Sequence, residues 1–111
     1  MTQTGAIVGT VQYLSPEQAE RVMSQSSANK VATMMRSVVR EGSGTAAALE
    51  GVEVAGKTGT AEINIEQGIN DLWFIGFTDD VAVAVIIERE RGQGGTVAAP
   101  IAKQVLQALG Q

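Results

Sequence analysis

Two short apolar runs joined by an acidic turn constrain this chain more than any other feature. Leu72-Trp73-Phe74-Ile75-Gly76-Phe77 and the run from Val81 to Ile87 are rich in β-branched and aromatic residues and too short for buried helices, and Asp79-Asp80 lies between them. They read as neighbouring strands, the second a central one. Residues 52–62 read as a further extended segment interrupted at Gly56 and Gly59, and residues 63–70 as a polar hairpin loop. An earlier strand is expected over residues 5–14, weakened by Gly9.

Helical signals surround these strands. Ser15-Pro16-Glu17-Gln18 is a helix start, with Ser at N-cap and Pro at N1. That helix pauses over residues 24–27 and restarts with Ser27 as N-cap. Val31, Met34, Met35, Val38 and Val39 then share one face until Gly42 and Gly44 end it. Residues 46–48 can form a helical turn, and a last helix is expected over residues 96–109, with Val97, Ile101, Val105 and Leu109 four apart and Pro100 in or near its first turn. The expected fold is a single two-layer α+β domain over residues 1–111, in the order β-α-β-β-β-α. Its antiparallel sheet has about four strands, with two helices on one face.

Composition excludes several function classes. The formal net charge is −4, and no basic stretch or aromatic platform suggests nucleic acid or an anionic membrane as partner. With no His and no Cys there is no thiol nucleophile, no histidine base, no disulfide and no expected metal or cofactor. No apolar run reaches the roughly 18–20 residues of a membrane span, and no secretory signal pattern is present. The chain is therefore expected to be soluble as it stands; any anchor of a larger exported protein would lie outside it.

Chemistry concentrates in Val54-Ala55-Gly56-Lys57-Thr58-Gly59-Thr60-Ala61-Glu62. This stretch offers one ammonium, two hydroxyls and glycine-bared backbone. On an edge strand Lys57 and Thr58 point to opposite faces, and Gly59 leaves room for a ligand backbone to pair alongside. Lys57, Thr58 and Thr60 could then hold a carboxylate.

Taken with Gly44-Thr45-Ala46 before it, and with Trp73-Phe74-Ile75-Gly76-Phe77 and Ala98-Ala99-Pro100-Ile101 after it, the triplet resembles the C-terminal part of penicillin-binding protein transpeptidase domains. The likeness extends over about residues 22–110 and is greatest to the class B enzymes of actinobacteria. It implies a family in which a serine of a Ser-x-x-Lys motif attacks the D-Ala-D-Ala amide of a peptidoglycan stem peptide, or a β-lactam, to give an acyl-enzyme. Lys57, Thr58, Gly59 and Thr60 would take the substrate-binding places of its Lys-Thr-Gly strand. Such a parent would be extracytoplasmic and membrane-anchored.

Nothing in these residues aligns with the upstream nucleophile motif. Ser27-Ala28-Asn29-Lys30 matches Ser-x-x-Lys by spacing, yet Ser27 as a helix cap explains it without chemistry. The expectation is a folded, non-catalytic piece of a transpeptidase that does not bind β-lactams, the alternatives being acylation through Ser27 and Lys30, or weak β-lactam or stem-peptide binding or acylation through the Lys-Thr-Gly strand.

Residues 2–19, with Gly9-Thr10-Val11-Gln12-Tyr13-Leu14-Ser15-Pro16-Glu17-Gln18, resemble instead the activation segment of bacterial serine/threonine kinases. This likeness implies a cytoplasmic source, phosphoacceptor places for Thr2 and Thr4, and a chimeric chain. A third function class follows from it, an interaction module phosphorylated on those threonines. Pairing of the first strand with an open sheet edge would cover apolar surface, and a truncated sheet invites a homodimer by edge pairing or strand exchange.

Elsewhere structural roles are expected. Met34 and Met35 fill the core, Trp73 packs between sheet and helix, Asp79-Asp80 forms a turn, and the charges of residues 88–91 are solvated.

Overall fold

In a computed structural model of the chain, residues 6–8 and 22–111 are described, with the backbone alone for the first three. Thr2, Thr4, Thr10 and the helix start at Ser15-Pro16 lie outside the described residues.

The elements run β1 (Ala6–Val8), α1 (Gln25–Glu41), a 3₁₀ turn (Thr45–Ala47), β2 (Ala55–Asn64), β3 (Ile69–Phe77), β4 (Ala82–Glu90), a π-helical turn (Gly94–Ala98) and α2 (Ala99–Ala108). Three long strands and the three-residue β1 form one antiparallel sheet in the order β1-β4-β3-β2. The α+β architecture and its element order are those expected. The run from Val81 to Ile87 does become a central strand, flanked by β1 and β3, and β1 covers the β4 edge with Ala6 opposite Ile87.

On β4, Val83, Val85 and Ile87 are buried while Ala82, Ala84 and Ile86 are exposed, so a continuous apolar run has one covered face only. Leu72 and Phe74 of β3 join the buried face. α2 packs across β4 and β3, and its Ala99, Ala102 and Leu106, with Ala98 just before it, are fully buried there. Three alanines let the helix approach closely, and Leu106 then fills the remaining depth. The expected stripe of Val97, Ile101 and Val105 lies beside this core, half-buried, and Leu109 is exposed. Burial of each large side chain in this core is worth about 1.5–3 kcal/mol.

α1 packs along β2, and its buried Val39 joins the same core cluster as Val54 and Ala47. The helix begins one turn earlier than expected. Ser24, with extended φ and ψ, is the N-cap, and its Oγ accepts from the Ser27 amide at 3.1 Å. Ser27 is therefore the third residue inside the helix and receives the cap instead of supplying it. At the other end, Gly42 and Gly44 both donate their amides to the Val38 carbonyl at 3.0 Å, ending α1 where expected. Met34 is 60% exposed and fills no core; Met35 reaches a recess shared with Ile75, Phe77, Ala82 and Ala84.

The glycines at 56 and 59 do not interrupt β2, whose pairing to β3 continues through both and shifts register only between Glu62 and Asn64. The β2–β3 loop is correspondingly shorter than expected, because the strands extend to Asn64 and from Ile69. The Asp79-Asp80 turn forms as expected: the Thr78 amide donates to the Val81 carbonyl at 2.8 Å, and the Thr78 hydroxyl accepts from the Asp80 and Val81 amides. Glu88, Arg89 and Arg91 are exposed, with the Arg91 guanidinium on the Gln67 carbonyl.

Candidate functional site

The Lys-Thr-Gly-Thr segment lies on β2, which among the described residues is an edge strand paired with β3 alone, and alternate residues of an edge strand turn their backbone groups away from that neighbour. Gly59 is paired with Trp73, Thr58 with Phe74 and Lys57 with Ile75. Directly opposed residues share a face. Lys57 and Gly59 therefore face the Trp73 side, and Thr58 and Thr60 face the side where Leu72 and Phe74 enter the core.

On the core side the strand is braced from behind. Thr58 is buried, and its Oγ1 lies 2.6 Å from Ser43 Oγ, in the loop that follows α1. Thr60 Oγ1 accepts from the Gly94 amide at 3.1 Å. Gly94 sits so close that a Cβ there would lie 2.4 Å from the Gly59 carbonyl oxygen and 2.5 Å from that of Trp73. A Cβ on Gly95 would lie 2.2 Å from the Ser43 carbonyl oxygen. The turn that opens α2 thus fits against the back of the Lys-Thr-Gly segment only because it carries no side chains there.

On the other side, Lys57 is exposed, its Nζ donates to the Thr58 carbonyl at 2.6 Å, and it stands 5.7 Å from the Trp73 ring centroid. Among the described residues no carboxylate pairs with it. Trp73 does not pack between sheet and helix as expected. Its indole lies over Gly59, where a Cβ would fall 1.8 Å from ring carbon Cε2. Room left by Gly59 is taken by this ring.

The four expected substrate-binding residues are contiguous, but they are split in role. Lys57 presents a charge to solvent, and Gly59 seats Trp73. Thr58 uses its hydroxyl internally. Thr60 is exposed and, while accepting from Gly94, keeps its own proton for an outside acceptor. Ser27 and Lys30 are exposed in the first turns of α1. Ser43, Trp73, Gly94 and Gly95 were not expected here; the Gly94-Gly95 doublet is the one sequence signal that marks a close approach.

Glu53 holds α1 to the segment before β2. Its carboxylate is 3.0 Å from Arg36 Nε and is also hydrogen-bonded by the Arg40 guanidinium. That Arg40 bond, with the charges of Arg40 and Arg36, keeps the Glu53 carboxyl below its usual range. Among the described residues no group of three or more His, Cys, Asp or Glu side chains could hold a metal ion. No described helix is long and apolar enough to cross a membrane.

Residues 3–107 match the family model described as penicillin binding protein transpeptidase domain. The chain is 36% identical over 110 residues to stage V sporulation protein D of Bacillus subtilis, covering 88% of this chain and 17% of that protein. A solved D,D-transpeptidase domain of a peptidoglycan glycosyltransferase from Eggerthella lenta superposes with a TM-score of 0.71 at 37% identity, covering 87% of this chain and 23% of that one. A D,D-transpeptidase domain from Legionella pneumophila superposes with a TM-score of 0.68 at 29% identity, covering 80% of this chain and 37% of that one. The chain thus spans well under half the length of each.

Proposed function

The chain belongs to the penicillin binding protein transpeptidase family and corresponds to a C-terminal part of that domain, and we propose that it supplies one wall of a D,D-transpeptidase site, the strand that receives the substrate's carboxylate. One observation carries this reading: the Lys57 ammonium is exposed on the sheet's edge strand with no carboxylate partner among the described residues. An incoming carboxylate on the Trp73 side would gain a charge-assisted hydrogen bond from Lys57. An edge strand also offers backbone groups with which an extended peptide can pair.

In this reading the 111 residues perform no acyl transfer by themselves. Acylation needs a serine activated by a neighbouring base. Ser43 hydrogen-bonds buried Thr58. Ser24 caps α1, and the Ser27 amide takes that cap. This reading takes the nucleophile to be a serine outside these residues, and D-Ala-D-Ala stem peptides or β-lactams would be the substrates of the assembled site.

The family match runs through the kinase-like stretch, so a single descent suffices for it. A chimera, and phosphorylation at Thr2 and Thr4, have the sequence pattern alone in their support. The relatives, from Bacillus, Legionella and Eggerthella, do not narrow the source to one bacterial group.

The test is an exchange. This chain replaces the matching part of the Legionella transpeptidase domain, and both the exchanged domain and the isolated chain are incubated with benzylpenicillin and weighed by mass spectrometry. The expected result is an adduct on a serine of the Legionella part, lost with Lys57→Ala, and none on the isolated chain. An adduct on the isolated chain overturns its inactivity. A folded exchanged domain whose acylation ignores Lys57→Ala overturns the role of the strand.

A further inference from the structure

We propose that Trp73 is the positioning residue for Lys57, so that the Lys and the Gly of the triplet share one partner; this rests on the reading of Lys57 as the carboxylate-binding group. The indole occupies the space above Gly59, within 1.8 Å of where a Cβ would stand, and the same ring lies 5.7 Å from Lys57 Nζ. That separation is inside the roughly 6 Å within which a ring face attracts an ammonium. The second contact of Lys57 is the carbonyl of Thr58, at 2.6 Å.

The choice of partners matters for binding. A carboxylate neighbour would fix Lys57 equally well but would neutralise it and compete with an anionic ligand. A π face and a carbonyl orient the ammonium and leave its charge intact for the ligand. An unheld lysine, by contrast, has its rotamer entropy still to lose on binding. Gly59 follows from the same geometry: any side chain there would lift the indole off the strand and away from Lys57. Pairing of Gly59 with Trp73 across β2 and β3 fixes the ring at that height.

Two readouts on the 111-residue chain test this. First, the ε-methylene protons of Lys57 carry an upfield ring-current shift in the nuclear magnetic resonance spectrum; Trp73→Leu abolishes it, and Trp73→Phe keeps part of it. Second, titration with N-acetyl-D-Ala-D-Ala, followed at Lys57 and the Thr60 amide, gives an affinity that falls roughly threefold to tenfold in Trp73→Leu. It is partly restored in Trp73→Phe and lost in Lys57→Met.

Thermal stability is measured alongside. Trp73→Phe fills much of the same space, so it carries the test if Trp73→Leu does not fold. Affinity that follows melting temperature while ignoring the ring-current shift makes Trp73 a filler and overturns the proposal. Unchanged affinity in Trp73→Phe and Trp73→Leu, with loss in Lys57→Met, overturns the positioning role alone. Dipeptide binding that is absent, or that survives Lys57→Met, overturns the carboxylate role of Lys57 and the positioning role with it.

Discussion

Ser43 Oγ and Thr58 Oγ1 lie 2.6 Å apart, tying the loop after α1 to the middle residue of the Lys-Thr-Gly triplet. Thr58 is only 7% exposed, so this bond satisfies a hydroxyl that water scarcely reaches. Ser43→Ala strands that hydroxyl and is expected to cost about 1–2 kcal/mol in urea unfolding. Adding Thr58→Val removes the stranded group and is expected to recover most of the loss, since replacing both partners with apolar groups can be nearly neutral. Simple additivity of the two losses would show that the hydroxyls do not act as a pair.

Gly59 and Gly94 both lie where a Cβ cannot fit, but what stands in the way differs. At Gly59 the obstacle is the Trp73 side chain; at Gly94 it is the carbonyl oxygens of Gly59 and Trp73. A side chain can swing away and a paired strand cannot. Gly59→Ala is therefore expected to cost about 1–3 kcal/mol and to expose the indole, and Gly94→Ala about 3 kcal/mol or more, undocking the turn before α2. Trp73 is the only tryptophan, so its fluorescence reports directly on the first change. A red-shifted emission is expected in Gly59→Ala; an unchanged spectrum there would mean that the ring does not rest on Gly59.

The strands and the ancestry were legible because their signals are local: β-branched runs, turn residues, and blocks of motif in order. The brace behind the motif was not. Ser43, Gly94 and Gly95 reach Thr58, Thr60 and Gly59 across sequence gaps that no periodicity connects. Gly94-Gly95 is a site of close packing, and what it packs against lies far away in sequence. Trp73 was misplaced for a related reason, since period two assigns it to the face opposite Phe74 but cannot say that a glycine on the next strand will receive it. In α2, four-residue spacing picked out the bulkiest stripe, whereas closest approach belongs to the alanine face. Ser24 and Ser27 are both good caps, and only the backbone decides between them.

Glu53 adds a pH dependence whose sign follows from its depressed carboxyl. Such a group stabilises the fold fully above its unfolded-state value, and the contribution is lost as pH falls through the lower folded-state value. Melting temperature is therefore expected to drop on acidification through and below the usual carboxylate range by more in the native chain than in Glu53→Gln. The gap between the two should also narrow in high salt, because Arg36, Arg40 and Glu53 are all partly exposed. Parallel melting curves for the two proteins across that range would leave the Arg36–Glu53–Arg40 cluster without a stabilising role.

The buried face of α2 makes the sharpest stability prediction, because two adjacent residues should differ widely in what their loss costs. Leu106 is fully buried, whereas Val105 lies beside the core and is half-buried. Removing the Leu106 side chain leaves a cavity walled by strands β3 and β4 that cannot collapse onto it. Leu106→Ala is expected to cost about 2–5 kcal/mol. Val105→Ala removes less volume from a place solvent already reaches, and about 1 kcal/mol is expected. Ala102→Leu should also destabilise, by about 1–3 kcal/mol, since the close approach of the helix leaves no room for it. Urea unfolding of the three variants settles the orientation: a larger loss for Val105→Ala than for Leu106→Ala would require α2 to be rotated about its axis, with the valine stripe and not the alanine face against the sheet.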